Sequence, residues 1–257
     1  MTVQILERDF PNDHLPLLRW LMFTGVCAFG FILVWHYGLF RLMLVSDKTY
    51  ISLTIVILYA ATCIHCFIRT IAISREGDRA QRVLALVSQG GPKLKVVGNA
   101  VVAPDGSKLP AGHITTHIRN LILKAGLQGR HRIDQTLLLR GLADALRGPN
   151  QLGSFASDAL LKLGLLGTII GFILMLAPIA GLDAADRASV KSSMGLMSDG
   201  MAVAMYTTLT GLVGSILVQT QYYMLDGATA KLFALATDLT EVFVVSVLER
   251  GPDGQLQ

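Results

Sequence analysis

The chain has 257 residues, 52% of them hydrophobic and 16% charged, whereas soluble domains carry about 25% charged residues. This balance excludes an ordinary soluble enzyme, and it excludes disorder, which needs low hydrophobicity and high net charge. The net charge of +4 reads in so apolar a chain as basic cytoplasmic loops, not as a nucleic-acid surface, so no nucleic-acid partner is expected.

Four segments approach the roughly 20 apolar residues that cross a bilayer. The first runs from about Trp20 to Trp35, reaching to Leu39. The second runs from about Tyr50 to Ile68, the third from about Leu160 to Ala180, and the fourth from about Gly200 to Leu225. The leader holds Glu7, Arg8 and Asp9, and no small-residue cleavage site follows. The first segment therefore reads as a retained span, not a signal peptide. Cys27, Cys63 and Cys66 all lie in apolar runs. They give neither a disulfide framework nor a zinc pattern and read as packing residues.

The expected organisation is an N-terminal tail and hairpin over 1–68 (spans about 20–39 and 50–68), a cytoplasmic segment over 69–157, a second hairpin over 158–225 (spans about 160–180 and 200–225) and a cytoplasmic helical tail over 226–257. Orientation follows from charge. Segment 69–157 carries 13 Lys/Arg against five Asp/Glu, with Arg69, Arg75, Arg79 and Arg82 nearest the span. The loop 181–199 has Asp183, Asp186 and Asp199 against Arg187 and Lys191. The positive-inside rule sets 69–157 and both termini in the cytoplasm.

Within 69–157, Gly90-Gly91 is a turn. Lys93 to Lys108 reads as extended, with Val96-Val97 and Val101-Val102 as β-formers and Pro104-Asp105-Gly106 as a turn. Ile114 to Lys124 reads as helical. Arg132 to Arg147 reads as an amphipathic helix with Ile133, Leu137, Leu138, Leu142 and Leu146 at helical spacing, ended by Gly148-Pro149-Asn150. In the tail, Leu225, Ala228, Leu232, Leu235, Leu239 and Val242 form a heptad-like stripe, with Asp226, Lys231, Asp238 and Glu241 mostly off it. One helix from near Gly200 to near Arg250 is expected, about 75 Å long. It either packs in the cytoplasm or lies on the membrane surface; the tail's own negative charge disfavours the second.

The third and fourth spans carry the most information. Gly164, Thr168, Gly171 and Met175 share one face, and Gly167 with Gly171 makes a GxxxG. Ala204, Thr208, Gly211 and Ser215 share a face of the fourth span, beside Val203, Thr207, Thr210 and Gly214. Small residues let membrane helices approach closely, and a helix with two such faces is expected to lie between neighbours in an oligomer. A threonine there either back-bonds to a carbonyl one turn earlier or lines a wet path. Neither span contains an Asp or Glu. Intramembrane acids mark proton relays and ion sites, so a conducted proton would need a carboxylate from a partner. Lys162 can snorkel to the boundary. His65, near Cys63 and Cys66, reads as an interface or packing residue. His113, His117 and His131 lack metal spacing. No GxSxG, HExxH or phosphate-cradling loop is present. No enzyme activity, metal or cofactor is expected.

The segment Leu163-Gly164-Leu165-Leu166-Gly167-Thr168-Ile169-Ile170-Gly171 resembles the third-span motif of the MotA/TolQ/ExbB proton-channel family. Residues 200–212, from Gly200 through Thr207, Thr208 and Gly211 to Leu212, are similar to that family's last span. The four-span layout looks like the MotA branch. The resemblance implies an all-α polytopic bundle in the bacterial inner membrane, assembled as a homopentamer around a dimer of a single-span MotB/ExbD/TolR-like protein carrying an intramembrane Asp. Flow of H+ (or Na+) then drives rotation or force. By motif position Thr168 and Thr208, with Ala204 and Gly211 on the stripe of the latter, face the partner and the ion path. Gly164, Gly167, Gly171, Gly214 and Ser215 pack helices. Val203 stands where the TolQ/ExbB branch has Glu, Leu161 stands where a proline often precedes the motif, and 93–108 has no counterpart. Arg140, Asp144 and Arg147 are candidates for a cytoplasmic partner contact. The alternative is a membrane scaffold of an envelope complex without ion conduction; a small secondary transporter is disfavoured because no midplane acid or inverted repeat is present.

Overall fold

The computed structural model describes residues 15–38, 40–41, 43, 49–90, 94–98, 100–102, 106–128, 133–181 and 187–250. His131, Arg132, Pro104, Asp105, Gly91, Leu39, Asp183, Asp186 and the charged leader lie outside them. The described elements are α1 (Leu15–His36), α2 (Ile51–Gly90), β1 (Lys95–Val97), β2 (Ala100–Val102), α3 (His113–Gln128), α4 (Thr136–Arg147), α5 (Gln151–Leu176), α6 (Arg187–Leu239) and α7 (Ser246–Arg250). A 3-10 turn, Gly148–Asn150, joins α4 to α5, another (Ala177–Gly181) follows α5, and a π turn (Thr240–Val245) joins α6 to α7.

Among the described residues, three helical stretches are long and apolar enough to cross a bilayer, within Ile51–Val87, Thr136–Ile179 and Ser189–Leu248. The apolar part of α1, Trp20–His36, is shorter; its 17 or so residues fall below the roughly 20 that span. Four spans were expected, and three meet the length criterion.

The chain divides into two units. An apolar unit comprises Arg19–Ile68 and Gln151–Tyr223. A mixed unit comprises Met1–Leu18, Arg69–Asn150 and Met224–Gln257.

In the mixed unit, α2 continues as an amphipathic helix beyond Ile68, where the predicted span ends. Ile73, Glu76, Ala80, Val83 and Val87 are buried, at steps of three and four that mark one face. Strands β1 and β2 pair antiparallel, with Val96 opposite Val101. Gly98 has φ +62° at the turn, a conformation that only glycine adopts without cost. Val102 bridges Lys108, and the Leu109 amide donates to the Val101 carbonyl. The described part of the predicted extended stretch is thus a small hairpin, the one pair of strands among the described residues. Leu121, Ala125, Ile133 and Val245 form a buried cluster, with Leu138 and Leu248 against it.

Three features differ from the sequence reading: the start of α4, the start of α6 and the phase of the tail. Helix α4 starts at Thr136 instead of Arg132, because the Asp134 carboxylate accepts from the Thr136 amide at 2.9 Å and its hydroxyl at 2.6 Å, an Asx-type turn that stops helix from running back further. Gly148-Pro149-Asn150 ends α4 at Arg147 as expected, and its 3-10 turn leads straight into α5; proline fits a helix start, where no amide donor is required. The expected loop 181–199 is already helical from Arg187. In the tail, Leu225, Leu232, Leu235 and Leu239 are buried as expected, but Val242 is exposed while Val244 and Val245 are buried. The π turn takes more residues per turn than an α-helix, so the heptad phase shifts where it intervenes.

Candidate functional site: the α5–α6 seam

The expected small-residue stripes meet within the apolar unit. An added Cβ at Gly171 would lie 2.6 Å from the Ala204 nitrogen and 2.7 Å from its Cβ. At Gly167 it would strike the Thr207 side chain. At Gly211 it would lie 2.7 Å from both Gly164 Cα and the Leu160 carbonyl oxygen. At Gly200 it would lie 2.5 Å from the Met175 nitrogen, and at Gly153 it would enter the Tyr222 ring. Ser157 and Ser215 hydroxyls meet at 2.9 Å, and Gly214 lies in ordinary contact with Leu160 and Tyr59. The pairs 171/204, 167/207, 164/211, 157/215 and 153/222 run in opposite directions along the two helices. They define an antiparallel hairpin whose backbones touch because side chains are missing where they cross.

The threonines sit at different depths. Thr207 is fully buried, and its hydroxyl donates to the Val203 carbonyl at 2.8 Å. Thr208 is half-buried and its hydroxyl faces the Ala204 carbonyl at 3.0 Å and the Gly164 carbonyl across the seam at 3.3 Å. Thr168, also half-buried, donates to the Leu165 carbonyl. Thr210 donates to the Tyr206 carbonyl. The hydroxyl protons are engaged within the hairpin, and each oxygen keeps lone-pair capacity for a further donor or a cation. Ala204 and Gly211, set by the sequence on the ion-path stripe, lie in the seam against Gly171 and Gly164.

On the other flank of α6 the apolar unit has polar contacts with α2. The His65 Nδ1 and the Tyr222 hydroxyl are 2.6 Å apart, with stacked rings. Cys63 Sγ donates to Gln221 Oε1 at 3.5 Å. This is the packing role expected of His65. Cys66 is buried, Cys27 and Cys63 are half-buried, and none of the three is in a disulfide.

Helix exits in the mixed unit are held by a residue that sequence reasoning treated only as a helix stop. Asn150 Nδ2 donates to Asp226 Oδ1 at 2.9 Å and to Thr229 Oγ1 at 3.1 Å. Arg69 Nε donates to Asn150 Oδ1 at 3.4 Å, and Arg69 Nη2 donates to the Leu146 carbonyl at 3.0 Å. The amide, 5% exposed, thereby ties α2 to α6, and Arg69 adds the end of α4. A lone Asn after Gly-Pro carries no sequence signal for this. Arg140, Asp144 and Arg147 lie exposed on one face of α4, and the Arg147 guanidinium sits 5.8 Å over the Phe233 ring. No group of His, Cys, Asp or Glu among the described residues is arranged to hold a metal.

Residues 117–236, which include the whole seam, match the model of the MotA/TolQ/ExbB proton channel family. The match supports membership of that family. No curated protein and no solved structure was found to match it. The family match and the three apolar helices together support a multi-pass membrane protein of proton-channel type. The quoted motif segments, 163–171 and 200–212, are the stretches that form the crossing.

Proposed function

We propose that this chain is the stator-like subunit of an ion-driven machine in the bacterial inner membrane. Five copies surround a dimer of a single-span, MotB/ExbD/TolR-like protein, and H+ (or Na+) flow past that partner's intramembrane Asp is converted to rotation or force. Both termini and the mixed unit lie on the cytoplasmic side. The observation that carries this reading is a hairpin packed through glycine, with threonine oxygens at its edge and no carboxylate in either apolar segment. Such a hairpin offers oxygen acceptors to a cation but no titrating acid, so the acid belongs to the partner. Thr168 and Thr208 are the residues assigned to the ion path, the glycines and Ser215 to packing, and Arg140, Asp144 and Arg147 to contact with a cytoplasmic target.

A scaffold without conduction is the second reading, favoured by the engagement of every seam threonine with a carbonyl. Thr208→Val separates the two, because it keeps the shape and removes the hydroxyl. With the single-span protein co-reconstituted in proteoliposomes, the variant is expected to assemble normally and to lose most ion flux. Wild-type flux in that variant overturns the ion-path assignment, and absence of flux from the wild-type complex favours the scaffold.

A further inference from the structure

The mixed unit holds a buried imidazole that the seam does not use. His117, on α3, is 4% exposed. Its ring faces the Gln135 side chain and the Leu138 backbone at the start of α4. Its Nε2 and the Gln135 Oε1 are both buried, and neither finds a hydrogen-bond partner. The other end of the same amide is committed: Gln135 Nε2 donates to Glu241 Oε2, in the first part of the π turn. Three chain segments therefore meet through one glutamine that has a vacant acceptor facing a vacant ring nitrogen. Single π turns inside long helices recur at functional sites.

We propose that His117, Gln135 and Glu241 form a pH-operated latch between α3, the start of α4 and the π turn of the long helix. With a neutral ring, one nitrogen stays unpaired and the apolar packing around it is undisturbed. Protonation puts a second N–H into that pocket, where Gln135 Oε1 is the free acceptor. Closing that bond turns an amide already fastened to Glu241, so the strain is delivered to the π turn. The His113 amide is held by Glu76, the Asp134 carboxylate is taken by Thr136, and Lys108 of the hairpin is exposed. Arg119 follows two residues along α3.

Burial is the largest influence on His117 and lowers its pKa from the ordinary value; the neighbouring Gln135 side chain and Leu138 backbone offset this only in part. A lowered folded-state value means that the open state binds the proton more readily. Stability of the closed latch is therefore complete above about pH 6.5, the ordinary histidine value, and falls as pH drops below it. For one proton, the opening equilibrium rises by up to about tenfold per pH unit in that window. On the orientation proposed above, the latch reads cytoplasmic pH, the side that receives the conducted proton; the latch itself does not depend on that orientation.

Hydrogen exchange on the detergent-solubilised full chain, corrected for intrinsic rates, tests this. Between pH 6.5 and 5.5 the wild type is expected to show up to about tenfold more opening in residues 133–147 and 240–248, with the seam unchanged. His117→Phe is expected to abolish the rise, and His117→Gln serves the same purpose if the larger ring fails to fold. A flat wild-type profile, a chain-wide rise, or an unchanged rise in either folded variant overturns the latch. If neither variant folds, the wild-type profile decides alone, a rise confined to the two segments supporting the latch. These outcomes are independent of ion flux, so failure of the channel reading leaves them legible.

Discussion

Gly211→Ala measures how much of this protein's stability lies in backbone contact. The added Cβ would sit 2.7 Å from Gly164 Cα and 2.7 Å from the Leu160 carbonyl oxygen, while carbon atoms rest about 3.5–4.0 Å apart. The crossing must open by roughly 1 Å. Both obstacles are backbone, so no rotamer change relieves them. Overpacking of this kind costs about 1–3 kcal/mol. A gap of that size also forfeits a quarter to a half of each dispersion well along the adjoining seam. Alanine recovers about 1 kcal/mol of helix propensity, leaving a net loss of about 1–2 kcal/mol. Gly227→Ala, on the same helix with nothing within 4 Å of the added carbon, keeps only the gain. Denaturation by SDS in mixed micelles, followed by far-UV circular dichroism, should show Gly211→Ala unfolding at lower detergent fraction than wild type, and Gly227→Ala at equal or higher. If the two variants unfold alike, the seam is not set by backbone contact and the reasoning fails.

Two further outcomes follow from the mixed unit. Asn150→Leu removes the donors to Asp226 and Thr229 and the acceptor for Arg69, leaving Thr229, fully buried, short of one contact. A loss of about 2–4 kcal/mol is expected from that network, visible as a lower thermal midpoint; Asn150→Asp should also destabilise, by setting a second carboxylate beside Asp226. Glu76 is buried, and its Oε1 accepts from the His113 amide at 2.5 Å and the Ile114 amide at 3.4 Å, while Oε2 takes Arg79 at 3.2 Å. It caps α3 from another helix. Glu76→Ala is expected to cost about 1–3 kcal/mol and to raise protease sensitivity at the α3 start, whereas Glu76→Gln, which still accepts from both amides, should retain most of the protection. Equal sensitivity in the two variants would show that the cap does not hold α3.

Hydropathy alone located the apolar segments, and the glycine spacing of 164, 167, 171 and 211 identified which faces cross, because close approach in a membrane demands missing side chains whatever the surrounding structure. The absence of carboxylates in the third and fourth apolar segments is likewise a property of composition. The family motif lies in the same residues, so chain identity was readable before any coordinates. Pairing was not. Which threonine is buried depends on the rotation of α6 about its axis, and the structure sets Thr207 against Gly167 and leaves Thr208 at the edge. The Asn150 and Glu76 contacts join residues 76 and 37 positions apart in sequence, beyond the reach of any local pattern. The π turn is the sharpest case: heptad spacing carries the stripe on to Val242, but the structure buries Val244 and Val245, the latter against Leu121 and Ala125 of α3. Periodicity describes a helix in isolation, and only tertiary contact decides where that period breaks.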